Sequence, residues 1–314
     1  MAQLQSLQHK TLERLQQRID QLPLLPGVVV SLMNLDPQSD GYYDEVSSLL
    51  HSDPAFATKL LRYANSVAIS PPHPVTSLER ALQLVGCKSA VELMFVNSAT
   101  KVFVPHNEWE RNLWRHALDV ACLMRAMAQR VTDATLDAEK AYLFGLLHDI
   151  GRFVLYLESP EELRLVDETA WDTPQALIDA EMSICGFTHA ELGYLALSKW
   201  DMPRVLAKMI RYHHQPDMGV GELDPADVLL IRLLQDVDWI SVKFGVGSGR
   251  WRTMTDEQQQ AVLLPARMKS KLRIKSTDLA VAMQKAFIES EEVQRTLGIV
   301  SHPEAAPGAA APRR

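Results

Sequence analysis

Five of the ten histidines in this 314-residue chain, at positions 116, 148, 189, 213 and 214, fall within one 99-residue span. His148 is followed directly by Asp149, in the context Gly145-Leu146-Leu147-His148-Asp149-Ile150-Gly151-Arg152. An adjacent His-Asp pair near a helix end can reach one cation from two sides. The imidazole offers a borderline nitrogen ligand, while the carboxylate brings charge and can bridge to a second ion. Asp238 stands in an otherwise apolar helical run, where an unpaired carboxylate would be costly to bury. Asp236 is two positions away on roughly the opposite face and competes with it for any role. The other histidines, at 9, 51, 73, 106 and 302, read as exposed or singly hydrogen-bonded residues. His213-His214 alone would pass as a helix-terminal pair favoured by the dipole. Trp109, Trp114, Trp200 and Met209 read most simply as core.

The elements that must position these groups read as helices throughout. Asp53-Pro54, Thr173-Pro174 and Asp224-Pro225 have the pattern of an N-cap followed by proline in the first turn. Capping boxes are expected at Ser89-x-x-Glu92, Thr188-x-x-Glu191 and Thr255-x-x-Gln258. Leu78, Ala81, Leu82 and Val85 recur at helical spacing, and Gly86 follows where a helix end favours positive φ. His116 lies in an amphipathic segment with Trp114, Leu118, Ala121 and Cys122, which should form a long helix. Val28-Val29-Val30 continues into Leu32 and Met33 with helical rather than alternating spacing, and hairpin signals are lacking. The expected fold is all-α. Residues 1–21 read as a polar leading helix, 22–104 as a block of short helices, and 109–288 as a second block holding the clustered histidines. The stretch 299–314 reads as a disordered tail. The glycine-rich run Gly245–Gly249 follows a helix rather than a strand, so a phosphate-cradle reading is weak.

Composition narrows the field. With 47% hydrophobic and 23% charged residues the chain has the make-up of a folded soluble protein. Three cysteines at 87, 122 and 185 show no CxxC spacing, which argues against a disulfide scaffold or a cysteine-ligated zinc and for a reducing compartment. The most apolar window, Ala141 to Leu157, is interrupted by His148, Asp149 and Arg152, so no membrane span is expected. No secretory signal is recognisable, and a cytoplasmic location is expected. A net charge of −7 argues against general nucleic-acid binding. The basic run Lys269, Lys271, Arg273, Lys275 reads as a solvated helix end or loop.

The order His116, His148-Asp149, Asp238 resembles the ligand set of the HD superfamily of metal-dependent phosphohydrolases. More closely, both blocks resemble the HDOD (HD-related output domain) family of bacterial signalling proteins. The first half carries Leu22-Pro23-x-Leu25-Pro26, Ser52-Asp53-Pro54, Leu60-Leu61-Arg62-Tyr63-Ala64-Asn65-Ser66, Thr76-Ser77-Leu78-x-x-Ala81 and Gly86. The second half carries Gly145 through Gly151, Gly186-x-x-His189, Trp200-x-x-Pro203 and His213-His214-x-Pro216. The resemblance implies a multi-helix fold, with an N-terminal helical subdomain packed on an HD-like one, spanning about 22–288.

The resemblance also bears on function. Many HDOD members have lost part of the ligand set and are thought to act as regulatory outputs through protein–protein interaction. A signalling output module with a protein partner is therefore the leading expectation. This chain nevertheless keeps His116, His148, Asp149 and Asp238, together with His189, His213 and His214. That fuller set is similar to the HD-GYP phosphodiesterases of cyclic di-GMP, and implies a metal-dependent phosphohydrolase of a nucleotide or cyclic dinucleotide as the alternative. By that resemblance His116, His148, Asp149 and Asp238 would hold one divalent ion, with His189, His213 and His214 holding a second across Asp149. Such ions, among Fe, Mn, Mg, Zn or Ni, would activate water for attack at phosphorus, with Asp149 as the shared catalytic carboxylate. Arg152 stands where the HD-GYP group has a phosphate-contacting lysine and would neutralise a phosphate oxygen. Two departures matter: Gln215-Pro216-Asp217 replaces the Gly-Tyr-Pro motif, and Asn112 stands where some relatives supply a glutamate ligand. Both argue against cyclic di-GMP as substrate and against a third ion.

Overall fold

The structure, a computed structural model, describes residues 37–131, 136–169, 173–215, 221–244 and 279–299, with isolated positions at 14–22, 217 and 253–261. Among the described residues the chain forms thirteen helices. The first block contains α1 (Tyr42–Ser52), α2 (Pro54–Ala64), α3 (Leu78–Val85) and α4 (Cys87–Val102). The second contains α5 (Glu108–Ala128), α6 (Ala138–Leu147), α7 (Ile150–Glu158), α8 (Pro160–Glu168) and α9 (Pro174–Ile184). It continues with α10 (His189–Lys199), α11 (Arg204–Tyr212), α12 (Pro225–Phe244) and α13 (Leu279–Leu297). The all-α expectation holds.

Local chemistry sets most helix ends. Asp53 accepts from the Phe56 N–H at 3.0 Å, with Pro54 in the first turn of α2. Thr173 caps α9 in the same way. Thr188 and Glu191 form a reciprocal capping box at the start of α10, and Thr255 and Gln258 form another. The expected box at Ser89–Glu92 is absent. Gly86, at φ 85°, closes α3 by donating its N–H to Leu82 and directly opens α4 at Cys87. Ser89 is thus already inside the helix, and Glu92 turns inward instead. A box that sequence reading missed, Asn107–Glu110, starts α5. Asn65 ends α2 by clasping Val75 through both its carbonyl and its N–H at 2.8 Å, tying down the loop to α3.

Helix α5, 21 residues long, is the central strut. It packs on α6, α12 and α13, while α10 packs on α7 and α11. Helices of both blocks feed one hydrophobic core, from Leu50, Phe56 and Leu60 through Phe103, Trp114 and Phe144 to Leu197 and Phe287. Trp114, Trp200 and Met209 are buried as expected, but Trp109 is only half-buried. Helix α13 runs through position 288, so the expected end of the second block falls inside a helix. Val28–Val30, Gly245–Gly249, the Lys269–Lys275 run, residues 300–314, His9 and His302 lie outside the described residues.

Candidate metal centre

Each candidate ligand sits at a helix end or points from a long helix into one space. His116 projects from the middle of α5, and Asp238 projects from α12 beside it. His148 ends α6 and Asp149 begins α7, so one tight turn presents both. His189 is the first residue of α10, and His213-His214 follow α11. Gly151 permits the closest approach, because a Cβ there would lie 1.9 Å from the His189 carbonyl oxygen. Without that contact α7 could not bring Asp149 against α10.

All seven residues converge into two groups of three flanking Asp149. Ligand atoms of His116, His148 and Asp238 lie within 4.8 Å of one another, and so do those of His189, His213 and His214. His116 Nε2 is 3.2 Å from Asp238 Oδ1 and 3.2 Å from His148 Nε2. Asp149 stands between the groups. Its Oδ1 lies 3.3 Å from His189 Nε2 and 3.5 Å from His148 Nε2, and its Oδ2 lies 3.8 Å from His116 Nε2. Asp238, not its competitor Asp236, is the carboxylate of the cluster.

The donor set fits a cation on its own chemistry. His148 Nδ1 lies 2.7 Å from the Gly145 carbonyl and His213 Nδ1 lies 2.6 Å from the Ile210 carbonyl. A carbonyl only accepts, so each Nδ1 carries the proton and each Nε2 presents a lone pair to the centre. His189 Nδ1 donates to the Glu181 carboxylate, 2.7 Å from Oε1 and 2.8 Å from Oε2. His189 Nε2 then faces His214 Nε2 at 2.9 Å, His213 Nε2 at 3.1 Å and Asp149. One proton on that nitrogen can serve only one of three acceptors, whereas a cation serves them all.

Electrostatics divides the five imidazoles: burial works against charge on every ring, but Asp238 and Asp149 raise His116, and Glu181 and Asp149 raise His189, while the other three are lowered. Burial drives the His213 imidazole down to about 3, with the neighbouring His189 and His148 adding to the shift. His214 falls well below its ordinary range through burial and the neighbouring His213 and His189, and His148 is also lowered, chiefly by burial. Neutral imidazole is the ligating form. Burial opposes charge on Asp149, yet His148, His189, Arg152 and His116 hold its carboxyl well below the usual range. Burial likewise works against Asp238, but the hydrogen bond and charge of His116 lower it.

His116, Asp149, His214 and Asp238 line a cavity of about 410 Å³. Its walls include Trp109, Leu113, Leu177 and Trp239, with Arg152 and Lys243 as cationic groups. Arg152 Nη2 donates to Asp167 Oδ1 at 2.5 Å, and Asp167 Oδ2 accepts from Trp109 Nε1 at 3.0 Å. Asn112 also lines this cavity. Sequence reading missed Glu181, Asp167, Gln235 and Ser241. Gln235 donates to the carbonyls of His213 and His214 at 3.2 and 3.4 Å, and the Ser241 hydroxyl lies 3.4 Å from His116 Nδ1. The signal for Glu181 was its place on the apolar face of α9, one turn after Leu177.

Comparison with known proteins now settles the family. Residues 22–216 match the model of the HDOD domain. The chain belongs to the HDOD family. A 210-residue segment is 27% identical to an uncharacterised protein of Treponema pallidum (strain Nichols), covering 66% of this chain and 40% of that one. The fold matches a candidate phosphohydrolase from Shewanella amazonensis SB2B with a TM-score of 0.68, at 22% identity over 90% of this chain and 97% of that one. It also matches a candidate signal transduction protein from Marinobacter aquaeolei VT8, with a TM-score of 0.66, at 20% identity over 92% and 65% of the two chains. Among the described residues no helix is long and apolar enough to cross a membrane.

Proposed function

We propose that this HDOD protein is a metal-dependent phosphohydrolase whose substrate is a nucleotide or cyclic dinucleotide. One observation carries the reading: two groups of three potential ligands flank the carboxylate of Asp149, and both groups and Asp149 reach the lining of one cavity. His116, His148 and Asp238 would hold one divalent cation and His189, His213 and His214 a second, with Asp149 shared. Bound there, such cations supply Lewis-acid charge for a phosphoryl oxygen and make water nucleophilic at neutral pH. Of Fe, Mn, Mg, Zn and Ni, imidazole donors suit Fe, Zn and Ni, whereas Mg and Mn prefer oxygen donors, so the three-histidine group disfavours Mg. The chain's own part is to keep the His148, His213 and His214 imidazoles neutral, hold Asp149 ionised and place Arg152 where it can offset phosphate charge. Trp109, Leu113 and Trp239 offer an apolar wall to the rest of the ester.

The test is hydrolysis of a panel of nucleotides and cyclic dinucleotides by protein loaded with each metal, beside Asp149→Ala. Metal-dependent product release that this variant abolishes supports the reading. Less than one equivalent of bound transition metal, unchanged by replacing His148 and Asp149, would sink it.

Membership of the HDOD family favours a second reading, in which the protein is a cytoplasmic signalling output that binds a protein partner. That reading predicts that His148→Ala/Asp149→Ala keeps its signalling phenotype in the host cell. Loss of the phenotype together with metal would place the output downstream of the metal centre.

A further inference from the structure

The two ligand groups differ in charge. The first contains the carboxylate of Asp238, whereas the second contributes three imidazoles and no anion of its own. Beyond the shared Asp149, the nearest compensating charge is Glu181. Its side chain and that of His189 are both 0% exposed. The Glu181 carboxylate holds the His189 ring through Nδ1 and also accepts from the His189 backbone N–H at 2.9 Å. It therefore fixes the ring's tautomer, its rotation and the first residue of α10 at once. The other ring supports come from neutral groups: carbonyls behind His148 and His213, and the Ser241 hydroxyl beside His116.

We propose that Glu181 is the positioning residue that sets occupancy of the three-histidine ion, an inference resting on the reading of this site as a metal centre. A buried carboxylate behind an imidazole raises the basicity of its other nitrogen and locks that nitrogen's direction. Removal of such a partner weakens metal affinity by about 10- to 100-fold. The effect falls on one ion, because Glu181 touches His189 and no ligand of the first group.

The test is a Co²⁺ titration of the full chain, read by equilibrium dialysis and by visible absorption. Wild type binds two ions. Glu181→Gln, which keeps shape and removes charge, retains one tight ion and weakens the second by about 10- to 100-fold. The retained ion gives the spectrum of His213→Ala/His214→Ala and differs from the ion retained by Asp238→Asn. Wild-type affinity for both ions in Glu181→Gln, or loss of the ion at His116, overturns the proposal and leaves the centre standing. Absence of bound ion in wild type overturns the centre and the proposal with it. Should Glu181→Gln not fold, the same titration of Glu181→Asp decides the matter. Its shorter side chain cannot reach the His189 ring and backbone together, so the second ion alone weakens; unchanged affinities overturn the proposal.

Discussion

Gly151 meets the backbone of His189 so closely that a single added carbon would overlap the His189 carbonyl, at 1.9 Å from its oxygen. The same hypothetical carbon would also stand 2.9 Å from the Gly193 nitrogen, so α7 and α10 touch backbone to backbone. Side chains cannot yield at such a contact; a helix must move. Gly151→Ala should therefore cost at least about 3 kcal/mol in urea denaturation, at the upper end of overpacking effects. Because the displaced helices carry Asp149 and His189, the variant should also bind metal more weakly wherever it folds. A stability within about 0.5 kcal/mol of wild type would contradict the packing.

A second prediction concerns Arg125 of α5, which joins both blocks and the last helix. It pairs with Glu92 of α4, with Glu139 of α6 at 3.2 Å and with Glu289 of α13 at 2.7 Å, and stacks 4.0 Å over the Tyr142 ring. Burial lifts the Glu92 carboxyl well above its usual range, and the Arg125 charge only partly offsets that. Arg125→Met leaves three carboxylates around an apolar side chain and should cost about 3 kcal/mol, the low end for a broken buried pair because Glu139 and Glu289 keep some water. Adding Glu92→Gln should restore part of that loss. A double variant no more stable than Arg125→Met would show that Glu92 is not the strained partner.

Asp119, one turn beyond His116, makes stability depend on pH. Its carboxylate accepts from the Ser290 hydroxyl at 2.6 Å, and Gln294 donates to that same hydroxyl at 2.9 Å, locking α5 to α13. Burial raises the carboxyl from 3.8 to about 7, with the Ser290 hydrogen bond acting the other way. The folded value lies above the unfolded one, so the folded protein binds this proton more tightly. That contribution is complete below the unfolded value and is lost as pH rises through the folded one. Asp119→Asn cannot ionise, so its stability relative to wild type should climb from acid to neutral pH. The slope is at most about 1.4 kcal/mol per pH unit, measured by urea denaturation of the metal-free proteins. Parallel pH profiles for the two proteins would refute it.

The clustered histidines and aspartates were legible in the sequence because metal chemistry restricts the residue types to look for, and the helices because capping and periodicity are local. What supports that cluster was not, because support is a tertiary matter. Glu181 stands on the apolar face of its short helix, but its partner is not apparent until α9 folds against the start of α10. Asp167 looks like a surface residue of α8 until Trp109 and Arg152 arrive from α5 and α7. Ser89–Glu92 satisfied the capping pattern, yet Gly86 had already begun the helix, and Glu92 is spent on Arg125. Trp109 has core spacing but lines the cavity beside His116 and Asp238.

Asp167 supplies the last prediction, because it separates cation placement from metal binding. Its two oxygens are divided between the Arg152 guanidinium and the Trp109 indole N–H, not given to any of the seven candidate ligands. Asp167→Asn keeps an acceptor for one neighbour but withdraws the charge that aims Arg152. Turnover of the phosphoester identified by the substrate panel should then fall about tenfold, comparable with loss of one well-oriented charge contact of about 1.4 kcal/mol. Metal content should stay at the wild-type level, since every ligand and Glu181 remain in place. Arg152→Lys should fare no better, because an ammonium cannot make the planar contact that Asp167 holds. Reduced metal content in Asp167→Asn would show instead that α8 supports the centre itself rather than the cation beside it.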